Sequence, residues 1–179
     1  MLRIALVSVM ALQAAPLGCD RGLQPPVTVD QRPPNALELT PDSLRDQVLA
    51  RIEQYYVDFS ARDWTRYADH FWPGATLTTV FQPEGETVPR VVITSIESFI
   101  AQAPQGPGSK PVFEERMTSA DVWASGNLAQ VWARYHARFG DPGNLQEWTG
   151  IDAFTLLRHE GQWRIVSLTY TNDPGAPSS

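Results

Sequence analysis

The chain has 179 residues, 42% of them hydrophobic, and a formal net charge of −6 at pH 7. That length suits one domain plus an extension, and the apolar content is that of an ordinary globular protein. The acidic balance, with no run of Lys or Arg, excludes non-specific nucleic-acid binding and a polybasic membrane patch. Six Trp point to a well-stocked core or an aromatic-lined cavity.

Residues 1–19 read as a signal peptide: Arg3, an apolar run from Ile4 to Ala15, then small residues. The run is too short for a spanning helix with the usual flanks. Pro16-Leu17-Gly18-Cys19 resembles a bacterial lipoprotein box, in which Cys19 becomes the lipidated first residue; Pro16 departs from the usual Leu. The chain is then exported and lipid-anchored in the bacterial cell envelope, facing the periplasm. Ordinary secretion with an incidental Cys19 is the alternative. Cys19 is the one cysteine in the sequence, so no internal disulfide forms. Residues 20–39 carry four Pro and no periodicity, which describes an extended tether. A domain over 40–173 and a disordered tail over 174–179 follow.

Thr40 is a good N-cap and Pro41 suits the first helical position. Leu44, Val48, Ile52, Tyr56 and Phe59 recur at helical spacing, with Leu49 and Tyr55 widening the stripe. Asp63 caps a second short helix with Trp64, Tyr67, Ala68 and Phe71 on one face, stopped by Pro73-Gly74. Two strands, 75–82 and 88–95, flank a PEGE turn. Thr94 and Glu97 read as the capping box of a third helix. After the Gly/Pro-rich loop PQGPGSKP, four strands occupy roughly 112–123, 127–139, 146–158 and 162–172.

Turn positions give register. A turn at Ser125-Gly126 sets Thr118 opposite Ala133 and Arg116 opposite Tyr135. The Asp141–Asn144 loop sets Tyr135 opposite Gly150 and Ala133 opposite Asp152. The Glu160-Gly161 turn sets Asp152 opposite Thr169. Alternation then assigns Arg116, Tyr135, Trp148, Asp152, Phe154 and Thr169 to a concave face, with Tyr56 and Phe71 closing a cavity wall. The other face carries Trp132, Ile151, Val166, Leu168 and Tyr170 between marginal Arg residues, the pattern of an interface. Its predicted occupant is a second copy of the chain.

The order helix, helix, hairpin, helix, meander resembles the nuclear transport factor 2-like superfamily, with its ketosteroid isomerases and SnoaL-like cyclases. VLARIEQYYVDFSARDWTRYADHFWPGATL, VWASGNLAQVWARYHARFG and GIDAFTLLRHEGQWRIVSLTYT carry the resemblance, over about residues 42–172. It implies an α+β cone: a curved antiparallel sheet with three helices from the N-terminal half on its concave face. Members of the superfamily commonly dimerise through the outer face. Fold alone licenses no reaction.

Asp152, flanked by Ile151 and Ala153, is expected to be buried. Desolvation would raise its pKa and a nearby Arg116 would lower it. It is then either a general acid or base, with Tyr135 donating to a developing oxyanion, or half of a structural ion pair. The resembled isomerases pair a cavity Asp with a Tyr and a second acid, and no second acid can be matched here. His70 reads as a solvated helix-end residue, His136 as an outer-face residue and His159 as a turn residue. Their spacing fits no metal site, and no Gly-rich phosphate loop, serine nucleophile elbow or HExxH motif occurs, so no cofactor is expected. Three readings remain: a pocket for a small apolar molecule, a cofactor-free lyase or isomerase using Asp152, and an interaction domain whose cone is filled by Trp64, Trp148 and Phe154.

Overall fold

A computed structural model describes residues 40–82 and 87–173. The signal peptide, Cys19, the tether, the PEGE turn and the tail lie outside the described residues. Helix α1 spans Pro41–Ala61, and Thr40 caps it by accepting from the Ser43 amide at 3.2 Å. Such a cap is worth about 1 kcal/mol. Leu44, Val48, Ile52, Tyr55, Tyr56 and Phe59 are its buried face, as the spacing predicts. The helix ends where Arg62 turns left-handed, at φ 58°. Helix α2, Trp64–Asp69, follows at once, with Asp63 accepting from the Arg66 amide at 3.1 Å.

Strand β1 runs Phe71–Phe81, so Phe71 belongs to a strand and not to α2. Strand β2 is Arg90–Ser95 and helix α3 is Ile96–Gln102. The cap of α3 is Ser95, not Thr94; Glu97 is drawn instead to the Gly74 amide, 3.3 Å away. A 3-10 turn at Ala103–Gln105 leads to β3 (Val112–Ser125), β4 (Leu128–Asp141), β5 (Asn144–His159) and β6 (Gln162–Asp173). The fold is α+β: one curved, unclosed six-stranded sheet in the order β2-β1-β6-β5-β4-β3, with all three helices in the N-terminal half. Neighbouring strands are antiparallel except β1 and β6, which are parallel.

Two β-bulges break the alternation expected along this sheet. Pairs run from Ala124↔Ala129 to Ser119↔Arg134, then resume at Met117↔Tyr135, leaving Thr118 as an extra residue on β3. Likewise Leu156 pairs with Ile165 but Thr155 with Ser167, leaving Val166 extra on β6. A bulge advances one strand by a residue and so reverses which side chains face the core beyond it. The β4–β5 ladder has no bulge, and its predicted pairs Tyr135↔Gly150 and Ala133↔Asp152 are the observed ones.

The core fills the closed end of the concave face. Val48 and Ile52 of α1 and Tyr67 of α2 are buried with Val131, Phe154, Leu156 and Ile165 of the sheet. Each such aliphatic side chain contributes about 2 kcal/mol through burial. Tyr55 packs edge-on against Tyr56 and Phe154, and Phe59 stacks on Tyr67, which leaves the polar end of the sheet less filled.

Candidate functional site

At the open end of the concave face lies a cavity of about 220 Å³. Tyr55, Phe59, Tyr67, Leu77, Phe99 and Leu168 give it an aromatic and aliphatic lining; Glu115, Tyr135, Trp148, Asp152, Tyr170 and Asn172 give it a polar side. None of its lining residues is Lys, Arg or His.

Asp152 is buried at 3% exposure, held inward by the unbroken β4–β5 ladder. Its carboxylate accepts a 2.6 Å hydrogen bond from the Tyr56 hydroxyl, which reaches across from α1. Burial pushes the carboxyl up to about 7, and the Tyr56 bond, which favours the charged form, pulls against that rise.

Glu115 is the second acid of the cavity. The Thr118 bulge turns it inward, opposite Ala137, where uninterrupted alternation would have turned Arg116 inward. Its backbone is fixed by α1: Ser60 Oγ donates to the Glu115 carbonyl at 2.7 Å and accepts from the Glu115 amide at 2.8 Å. Edge strand β3 thereby has both polar groups of this residue satisfied, and the carboxyl is held on the cavity wall. Burial first, and then the charge of Asp152, raise the Glu115 carboxyl well above the ordinary carboxylate range. Two acids in one dry cavity do not both ionise readily. The Tyr56 hydrogen bond favours the ionised form at Asp152, and the Asp152 charge favours the protonated form at Glu115.

The Tyr135 hydroxyl lies 2.6 Å from Asn172 Oδ1 and 3.0 Å from the Thr171 carbonyl, so its proton is already engaged. Burial raises its pKa, with further upward contributions from Glu115 and Asp152; the nearby Trp148 N–H opposes them. Gly150 makes this placement feasible. A Cβ there would stand 2.0 Å from the Thr171 carbonyl oxygen and 2.5 Å from the Tyr135 hydroxyl. Trp148 Nε1 is buried and makes no hydrogen bond of ordinary geometry among the described residues, with the Tyr135 hydroxyl as its nearby polar neighbour.

The remaining expected residues fall elsewhere. Arg116 pairs with His136 and is exposed, so no Arg116–Asp152 ion pair forms. Thr169 is exposed, because the Val166 bulge turns Leu168 and Tyr170 inward instead; those two are therefore not on the outer face. Phe154 and Phe71 are core residues at 1% and 3% exposure, and Tyr56 stands behind Asp152. The outer face keeps Trp132, which is 47% exposed, and the partly buried Ile151, with Val166 at the bulge. His70 is not solvated. It is 1% exposed, its Nε2 lies 2.8 Å from Asp58 Oδ2, and Gln54 donates to the other Asp58 oxygen at 2.9 Å. Burial lowers the His70 pKa, so this is a neutral strut between α1 and β1. The cone is not filled by its own aromatics either, since the cavity remains beside Trp148. Among the described residues no group of three His, Cys, Asp or Glu is placed to hold a metal ion.

A family model described as "Putative lumazine-binding" matches residues 43–171. No curated protein matches the chain. Among solved structures, the chain is similar to a putative dehydratase of the NTF2-like family from Streptomyces avermitilis, at 15% identity and TM-score 0.60, over 75% of this chain and 99% of that one. An NTF2-like protein of unknown function from Shewanella baltica is 20% identical with TM-score 0.52, over 73% and 94%. A putative scytalone dehydratase from Novosphingobium aromaticivorans is 11% identical with TM-score 0.57, over 72% and 83%. At these identities the likeness is one of fold, and the fold is NTF2-like.

Proposed function

The chain belongs to the family described as putative lumazine-binding, and on that premise we propose that its cavity binds a small, flat, neutral molecule through one polar edge. The observation that carries this reading is an aromatic-lined cavity whose only carboxyls, Asp152 and Glu115, have no cation beside them in the lining. An anionic ligand would meet repulsion there. A neutral one finds an acceptor in the Asp152 carboxylate and donors in the Trp148 N–H and in Glu115, whose carboxyl is pushed toward its protonated form. The volume is below the ~300 Å³ at which pockets for drug-sized ligands begin, which favours a one- or two-ring compound. Lumazine, the ligand of the family's name, carries ring N–H groups beside carbonyls and satisfies both kinds of partner.

The test is equilibrium binding of lumazine, 4-methylphenol and benzoate. Binding of a neutral probe that Trp148→Phe weakens about tenfold supports the reading, one lost hydrogen bond in a dry site. Failure of both neutral probes, or tighter binding of benzoate, refutes it.

One observation favours a second reading, proton transfer by a cofactor-free lyase or isomerase. A carboxyl at about 7 is suited to act as general base or acid near neutral pH. Asp152 would abstract a proton next to a carbonyl, and Glu115, rather than the already engaged Tyr135, would donate to the developing oxyanion. Deuterium exchange at the α-carbon of 2-methylcyclohexanone in D₂O, lost in Asp152→Asn, supports it; an equal exchange rate in that variant refutes it.

The domain is further proposed to sit in the cell envelope on a lipidated Cys19 and to form a homodimer through Trp132, Ile151 and Val166. Palmitate labelling that survives Cys19→Ser, or a dimeric mass unchanged by Trp132→Glu, would overturn these two points respectively.

A further inference from the structure

Beside the inner cavity lies a second space, an open groove of about 550 Å³ between the concave side of β1–β2 and the α3 segment. The two spaces share three wall residues: Phe99 from α3, Pro107 from the following loop and Tyr170 from β6. These come from three separate elements.

Two of its supports are built in. Thr79 Oγ1 donates to the Tyr170 carbonyl at 2.8 Å, which fixes the Tyr170 backbone and leaves its ring as the movable part. The Gly108 amide donates to the Ala103 carbonyl at 2.7 Å, and a Cβ at Gly108 would lie 2.9 Å from that oxygen. The loop therefore folds tightly and holds Pro107 over the boundary. The groove itself is lined by Phe81, Val92 and short or amide side chains, with no charged residue among them. Phe81 is 53% exposed, and Val92 lies across from Thr79 on the same side of the β1–β2 ladder.

We propose that the ligand has two parts: a polar, flat head in the inner cavity and an uncharged, largely apolar tail that leaves between Phe99, Pro107 and Tyr170 to lie along Phe81 and Val92. This rests on the reading of the inner cavity as a ligand site. It narrows the ligand class from a compact ring to a ring bearing an alkyl, prenyl or acyl extension. The inner cavity is too small to hold such an extension together with its ring. The groove adjoins the cavity across a wall of only three residues, Phe99, Pro107 and Tyr170, and its lack of charge matches a tail that carries none. A half-open groove removes only part of each methylene from water, so each should tighten binding by roughly twofold, against about fourfold for full burial.

The experiment measures binding of 4-methyl-, 4-butyl- and 4-octylphenol by calorimetry to the full domain and to Val92→Lys, which places a bulky charged side chain in the groove. Gln105→Trp is a second variant that narrows the groove from the opposite side. Affinity is expected to rise at least tenfold from 4-methyl- to 4-octylphenol in the unaltered protein. Both variants should remove most of that gain while holding 4-methylphenol within twofold, which also shows that the inner site is still folded. Affinity that does not rise with chain length, or a rise that neither variant reduces, overturns the proposal. If 4-methylphenol does not bind but 4-octylphenol binds in a Val92→Lys-sensitive way, the head-site reading fails and, with it, the two-part ligand.

Discussion

Replacing Asp152 with Asn should stabilise this protein at alkaline pH and cost it about 1 kcal/mol in acid. In the unfolded chain the carboxyl ionises near 3.8, and in the fold near 7. Between those values the folded state holds a proton that the unfolded state has released. Unfolding then releases the proton, and stability falls as pH rises through the window from about 4 to 7. At roughly 1.4 kcal/mol per pH unit, the full difference amounts to about 4 kcal/mol above pH 7. Asn cannot ionise, keeps an oxygen for the Tyr56 hydroxyl and adds an amide N–H₂ whose desolvation costs about 1 kcal/mol. A net gain of about 3 kcal/mol at pH 8 follows. For a domain of this size that corresponds to a melting temperature higher by about 10 °C. Thermal unfolding followed by circular dichroism at pH 4 and pH 8 reads this directly. A variant equally stable relative to the parent at both pH values, or less stable at pH 8, would refute the claim that Asp152 is held in the fold against its own charge. The sign is diagnostic, since a carboxylate kept for stability would show the opposite dependence.

Tyr56→Phe removes the one hydrogen bond that favours the Asp152 carboxylate, so the carboxyl should titrate above 7 by about one pH unit in a carbon-13 NMR titration. Ser60→Ala releases both backbone groups of Glu115 from α1; we expect a loss of about 1–2 kcal/mol in chemical denaturation and faster amide exchange at Glu115 than elsewhere in β3. Gly150→Ala drives a methyl group into the Thr171 carbonyl and the Tyr135 ring, and should cost about 2–3 kcal/mol in urea unfolding; retention of parental stability would contradict the close approach of Tyr135.

The helices were legible because their signals are local. Thr40-Pro41 and Asp63 are caps whose side chains act within three residues, and the stripe from Leu44 to Phe59 needs only helical spacing. The β4–β5 pairing was legible for a related reason: a short turn at Pro142-Gly143 sets register, and nothing interrupts the ladder for its whole length. Asp152, Tyr135 and Trp148 all lie on that hairpin, and all three line the cavity. His70 was misread because its partner, Asp58, sits across a helix turn and a loop, and no spacing rule joins the two.

The side chains assigned to the wrong face share one cause, the bulges, while the β3–β4 pairs also differ because the turn falls one residue later, with Ser125 opposite Leu128 and Ala120 opposite Ala133. Alternation carries a side-chain assignment along a strand only while the ladder is regular. The extra residues Thr118 and Val166 reverse it, and neither is a glycine or carries another mark of a bulge in the sequence. Beyond Thr118, Arg116 moves out and Glu115 moves in; beyond Val166, Thr169 moves out and Tyr170 moves in. A regular sheet would have put a guanidinium beside Asp152, lowered its pKa and left an ion pair. The bulged sheet puts a second carboxyl there: burial raises Asp152, and burial together with the Asp152 charge raises Glu115. Bulges concentrate beside functional sites because they re-aim single side chains without moving the rest of a strand. The acid pair that gives this cavity its chemistry is thus the product of one local irregularity, the Thr118 bulge that turns Glu115 inward, set against the unbroken ladder that holds Asp152; the Val166 bulge adds Leu168 and Tyr170 to the same lining.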